Sequence, residues 1–202
     1  MGGRGARKDC GRATWWGGVI VDLKTITDEA ITPALALLPA KMDTVAARVM
    51  LLAIGLQESR FQDRRQLIGK PPRPTGPAKS FWQGERGGGL VSGVRTHEAT
   101  RDLAAQLYRA RGVAADNAAI WNAIEHDDVL AAALARLLLW SEPGRLPEVG
   151  DVDGAWTLYL RTWRPGAFAR GTAAQRADLR AKWDRNYGQA VAEVGGGYVG
   201  VA

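Results

Sequence analysis

The chain contains one cysteine, Cys10, and two histidines, His97 and His126, in 202 residues. A lone cysteine excludes an intramolecular disulfide, and this Cys/His set falls short of a structural zinc site, so neither a metal nor a cofactor is expected. No apolar run approaches the ~20 residues needed to cross a bilayer, so no membrane span is expected. Trp15-Trp16-Gly17-Gly18-Val19-Ile20-Val21 is too short, and lacks the small-residue cleavage site, to read as a signal peptide. Also missing are a helix-turn-helix, a zinc finger and an RNA-recognition signature. The formal charge of +6 implies attraction to polyanions: nucleic acid, anionic lipid or acidic wall polymers. Because the arginines are dispersed instead of forming one stripe, nucleic-acid binding is only a secondary reading.

What the chain does have is helical periodicity. Its length and 46% hydrophobic content suit one domain with a single core. Asp43 can cap a helix from Thr44 to Gln57, in which Val45, Val49, Leu52 and Leu56 recur at three- and four-residue spacing. Further helices are predicted near 28–38, 97–111, 117–124, 128–140, 152–163 and 173–192. The last opens on a capping box formed by Thr172 and Gln175. No stretch alternates well enough to predict a sheet. The loop from Pro71 to Val94 has room for a short hairpin; it carries Pro71, Pro72, Pro74 and Pro77 and ends in Gly87-Gly88-Gly89. The expected fold class is therefore mainly α: a single domain over 25–202 with a long active-site loop or short hairpin, preceded by a flexible Gly/Arg-rich arm over 1–24.

Glu58 closes the apolar helix Leu51-Leu52-Ala53-Ile54-Gly55-Leu56-Gln57-Glu58. Desolvation and the negative end of the helix dipole both disfavour an ionised carboxylate there, which suits a general acid. The plainer alternative is a glutamate placed where the chain regains solvent. The surrounding sequence bears on the choice: Gln57-Glu58-Ser59-Arg60-Phe61, then Gly76-Pro77-Ala78-Lys79-Ser80-Phe81-Trp82-Gln83, then Ala155-Trp156-Thr157-Leu158-Tyr159, then Trp163-Arg164-Pro165-Gly166. These segments resemble the lysozyme-like superfamily, specifically lytic transglycosylases and goose-type lysozymes of phage and prophage type, from about Ile26 to Val191. In that family a helix ending in Glu-Ser is followed by Gly-Ala-x-Gly-Leu-Met-Gln. Here Pro77 intervenes, Phe81-Trp82 replaces Leu-Met, and the asparagine of the family's later Ala-Tyr-Asn helix is missing.

The resemblance implies a lysozyme-like domain that cleaves the β-1,4 bond between N-acetylmuramic acid and N-acetylglucosamine in peptidoglycan. As a lytic transglycosylase it would use Glu58 as acid and then as base. Glu85 is the candidate second acid of a hydrolytic muramidase, or else a solvated loop glutamate opposite Arg86. Gln83 can bond the glycan, hold Glu58 or cap its own loop. Ser59 is expected to end the helix or touch substrate, not to act as nucleophile, since no His-Asp pair accompanies it. Tyr159 can donate its hydroxyl to Glu58 or serve as a core tyrosine. Phe81, Trp82, Trp156 and Trp163 are candidate groove walls for stacking sugar faces, while Trp121, Trp140 and Trp183 fall on core stripes. Arg164 can meet a lactyl or peptide carboxylate, or simply mark a helix terminus. The implied partners are peptidoglycan glycan strands and phage tail or other virion proteins. The implied location is the virion or the host cytoplasm before release, with action on the wall. A non-catalytic, wall-binding virion protein of the same fold is the alternative from another class.

Overall fold

The computed structural model describes residues 22–197. The chain opens with α1 (Leu23–Ile26), a π-helical segment (Thr27–Ile31) and α2 (Thr32–Ala36) in unbroken succession. Pro33, which has no N–H to donate to the preceding turn, is the second residue of α2, just past the π segment. Asp22 caps α1 by accepting from Thr25 N at 2.7 Å. Residues 1–21 of the expected arm lie outside the described residues; Leu23 and Lys24 are already helical, so the helical body begins before residue 25.

A 3₁₀ turn (Ala40–Met42) leads to α3 (Val45–Glu58). The cap of α3 is Thr44, whose hydroxyl accepts from Ala47 N. Asp43, the expected cap, is instead held by the guanidinium of Arg48 through two bonds of 2.7 and 2.8 Å. Every residue from Val49 to Gln57 is buried, although Val45 is exposed. α3 is thus wrapped on all sides, beyond the single apolar face that its spacing predicts.

Three strands follow, β1 (Arg65–Ile68), β2 (Arg73–Lys79) and β3 (Gly84–Glu85), antiparallel in the order β1-β2-β3. The register pairs Ile68 with Arg73 and Lys79 with Gly84, with an irregularity between Arg65 and Leu67. The hairpin starts earlier than the 71–94 loop expected for it. Leu67 and Ile68 are both exposed, so β1 has no buried face to make its sequence alternate. Pro74 and Pro77 fit in β2 because β3 pairs only with Ala78 and Lys79, leaving the rest of that edge open.

The remainder is helical: a π segment (Gly89–Gly93), α4 (Val94–Thr96), α5 (Arg101–Ala110), α6 (Asn117–Ala123), α7 (Asp128–Trp140), α8 (Val152–Trp163), α9 (Gly166–Arg170) and α10 (Ala173–Gly197). His97 adopts an extended conformation that ends α4, so the helix expected over 97–111 begins only at Arg101. Aspartates 116, 127 and 151 cap α6, α7 and α8. The Thr172–Gln175 capping box forms reciprocally, at 2.8 and 3.3 Å. α7 is buried from Leu130 to Leu139, and its alanines at 131, 132, 133 and 135 let neighbours approach closely. α10 lies against the C-terminal half of α3.

The small sheet is fastened to the helices by charge. Lys79, only 4% exposed, bonds Asn122 and Glu125 at 2.9 and 2.7 Å and lies 3.6 Å from the ring centre of Trp121. Arg64 forks Asp128 at the start of α7 and stacks on Phe81. Trp121 and Trp140 are consequently half-buried beneath cations and do not sit in the core, whereas Trp183 is fully buried.

One glycine has a steric duty. A Cβ on Gly55 would lie 2.1 Å from Cζ of Phe61, whose ring folds back against α3. Gly55→Ala gains about 1 kcal/mol of helix propensity but loses about 1–3 kcal/mol to overpacking. A net fall in denaturation midpoint is expected, and a rise would show that the ring can leave at no penalty. A second comparison concerns the amino-terminal boundary. Deleting residues 1–24 removes the Asp22 cap and the Lys24–Asp28 pair that deleting 1–21 keeps. The longer deletion should unfold at lower denaturant, by about 1 kcal/mol of stability.

Candidate active site

Glu58 is the last residue of α3, and its half-buried carboxyl group accepts a 2.6 Å hydrogen bond at Oε1 from the hydroxyl of Tyr159 on α8. Burial pushes the carboxyl above its usual range, an effect opposed by the Tyr159 hydroxyl and by the nearby Lys182 ammonium. Tyr159 is itself driven far upward by burial and by the Glu58 charge, so it remains a protonated donor. It stacks on Trp183 at 4.9 Å and on Trp163 at 6.5 Å. The phenol is therefore held between two indoles and aimed along one line.

The backbone beyond Glu58 turns abruptly. Arg60 and Phe61 both adopt left-handed conformations, with φ of 55° each. Ser59 fastens this turn: its hydroxyl donates to Phe81 O at 2.8 Å and accepts from Phe61 N at 3.1 Å. The segment it reaches is also strained, with Ser80 at φ 68° and Gln83 at φ 51°. The third strained segment is marked by Arg164 at φ 48°, which follows Trp163, whose indole donates to Trp82 O at 2.9 Å. All five non-glycine residues with positive φ among those described fall in these three segments, and hydrogen bonds join the segments to one another. Such strain persists only where the surroundings over-determine it, and it gathers at functional sites.

Several expected groove walls are instead the floor of this turn. Phe81 and Trp82 have no exposed surface; their rings meet Phe61 edge-on at 5.4 and 5.9 Å, and the Trp82 indole donates inward to Leu51 O. They cannot stack on a sugar. Trp156 is also buried, against Tyr159, Phe168 and Trp183, while Trp163 keeps part of its ring accessible. Gln83 uses its amide nitrogen on Ser80 O and Asp63 O, so it caps its own loop and does not hold Glu58. Arg164 is exposed and its Nε donates to Arg161 O at the end of α8. Glu85 lies exposed on β3, and among the described residues no hydrogen bond or ion pair joins it to Glu58 or Arg86.

Two residues that matter here, Lys182 and Asn186, lie outside the motifs, and both reach Gln57. Gln57, buried, accepts from Asn186 Nδ2 at 2.8 Å and donates to Leu179 O, while Lys182 Nζ donates to Gln57 O. Lys182 and Asn186 are four residues apart on one face of α10, a spacing visible in sequence but without a known target. Burial and the neighbouring Arg60 pull the Lys182 ammonium below its usual range. The site is thus one carboxyl whose burial favours its protonated form, with a hydroxyl donor and a cation opposing that effect. No cluster of three or more His, Cys, Asp or Glu among the described residues is arranged to hold a metal. Two clefts of about 710 and 750 Å³ lie elsewhere, and Glu58 lines neither.

Burial holds the folded-state pKa of Glu58 above its unfolded value of about 4.5. The stability this proton contributes is present below that value and is lost as pH rises through the raised pKa. Glu58→Gln has no such proton. The melting temperature of the wild type relative to the Gln variant should therefore decline as pH rises above the unfolded value of about 4.5; a pH-independent difference would show that the carboxyl titrates normally.

Compared with family models, curated proteins and solved structures, the chain has no match, and the reading of this site rests on its own geometry.

Proposed function

We propose that the protein cleaves the β-1,4 bond between N-acetylmuramic acid and N-acetylglucosamine in peptidoglycan, as a lytic transglycosylase of lysozyme-like fold. The observation that carries this reading is the Tyr159–Glu58 hydrogen bond at the end of a helix buried from Val49 to Gln57. Burial there favours the protonated carboxyl, and the Tyr159 hydroxyl occupies Oε1, which leaves Oε2 to carry the transferable proton.

In this mechanism Glu58 gives that proton to the departing glycosidic oxygen while positive charge develops at the anomeric carbon. The carboxylate so formed is stabilised by the Tyr159 hydroxyl and by Lys182. It then takes the proton of the muramic acid C6 hydroxyl, whose oxygen attacks the anomeric carbon and closes a 1,6-anhydro ring. One carboxylate suffices for both steps, and the exposed Glu85 has no part in either. The same reading places the protein's action at the bacterial wall, with a phage virion or lysis role, and the net positive charge favours retention on acidic wall polymers.

Purified wall and mass analysis of the released muropeptides test this directly. Glu58→Gln should lose at least about 10²-fold in release rate with its circular dichroism unchanged. Glu85→Gln should keep most activity, and the products should carry 1,6-anhydro ends. Undiminished clearing by the Glu58 variant refutes the assignment of the acid. Reducing-end products with an inactive Glu85 variant move the chemistry to a two-carboxylate hydrolase. No release by the wild type leaves a wall-binding protein without catalysis.

A further inference from the structure

The opposite end of α3, about 20 Å from Glu58 at 1.5 Å per residue, borders the cleft of about 750 Å³. Its lining combines Thr44, Val45 and Ala46 at the start of α3 with Arg136 and Trp140 of α7. That volume falls in the range of small-molecule sites. Two independent features converge there. The amides of Val45 and Ala46 precede the first intrahelical acceptor of a 14-residue helix, so they form a free donor pair at its positive end. Arg136 is 2% exposed; its Nε donates to Met42 O, but its Nη1 has no hydrogen-bond partner among the described residues. A buried guanidinium with an unused donor calls for an acceptor, since leaving it unpaired is costly.

The charge balance of the cleft favours an anion. Lys41 and Arg145 line it alongside Arg136, against the single acid Glu148. Asp43, the carboxylate that supports the charge of Arg136, already has both oxygens held by Arg48. Burial draws the Arg136 guanidinium down to about 10, still fully charged at neutral pH. Apart from Thr44, the rest of the lining is uncharged and mostly apolar. The half-buried Trp140 ring has the Lys41 ammonium and the Arg136 guanidinium each 5.2 Å from its centre. Val45 and Val149 expose 36% and 42% of their surface at the rim.

We propose that this cleft binds a small organic carboxylate with an aromatic or branched apolar body. Its carboxylate faces the start of α3 and Arg136, and its body lies along Trp140, Val45 and Val149. The inference is independent of the reaction assigned to Glu58.

Calorimetric titration of the full-length protein with 4-phenylbutyrate tests it, with 4-phenylbutan-1-ol as the neutral control. Saturable one-to-one binding of the acid is expected, with the alcohol about 10- to 100-fold weaker, the difference one charge-assisted pairing makes. Arg136→Met should weaken the acid by a similar factor. Should that variant fail to fold, Ala46→Asp decides the matter: it sets a carboxylate on the free amides, which suits a helix start, and should abolish acid binding without loss of melting temperature. Absence of saturable binding at millimolar acid, equal affinity for the alcohol, or unchanged binding by Ala46→Asp would each overturn the proposal.

Discussion

A helix that buries its last turn must find donors for carbonyls that no intrahelical N–H reaches, and the end of α3 satisfies this demand. The amide and hydroxyl of Ser59 both reach Gly55 O, Arg60 N reaches Leu56 O, and Lys182 Nζ, from α10, reaches Gln57 O. Each of these donors also shapes the surroundings of Glu58. Ser59 carries the chain into the left-handed turn, Arg60 begins it, and Lys182 brings a cation beside the carboxyl. Closing the helix and building the site are therefore one operation.

The strain in that operation is substantial. Left-handed non-glycine residues stand at of order 1–3 kcal/mol each above relaxed backbone. Here Arg60 and Phe61 adopt that conformation in succession. The offset comes from what the turn achieves: Phe61 is inserted in full burial between α3 and the rings of Phe81 and Trp82. Full burial of such a side chain contributes about 1.5–3 kcal/mol, enough to hold one such residue. The Ser59 bonds supply the remainder, at about 1 kcal/mol each.

How far the sequence discloses this depends on whether the determinant is local. The helices at 117–123, 128–140 and 152–163 are legible because caps and apolar spacing lie within one element. The Thr172–Gln175 box is legible for the same reason. Glu58 stands out by contrast with the apolar run before it, and Tyr159 by its place in a motif. The sheet is poorly legible, because β1 buries neither face and the buried positions of β2 are Gly76, Ala78 and Lys79, which carry no apolar alternation. Phe81 and Trp82 mislead because an aromatic pair in a polar loop looks like a surface; only the fold-back through Gly55 and Ser59 turns it inward. Lys182 and Asn186 act more than a hundred residues from Gln57, and nothing near them in sequence names their target.

The ammonium of Lys79, sunk between Trp121 and Glu125, gives the three-stranded sheet a different standing from the helices around it. A sheet of this size has too little apolar surface to persist alone. Its strands hold their shape only against α6 and the start of α7, where Lys79 and Arg64 anchor them. The base of the sheet is thus fastened to the helical body while residues 66–75 project from it exposed, so a molecule approaching past Lys79 would meet a wall already fixed in place.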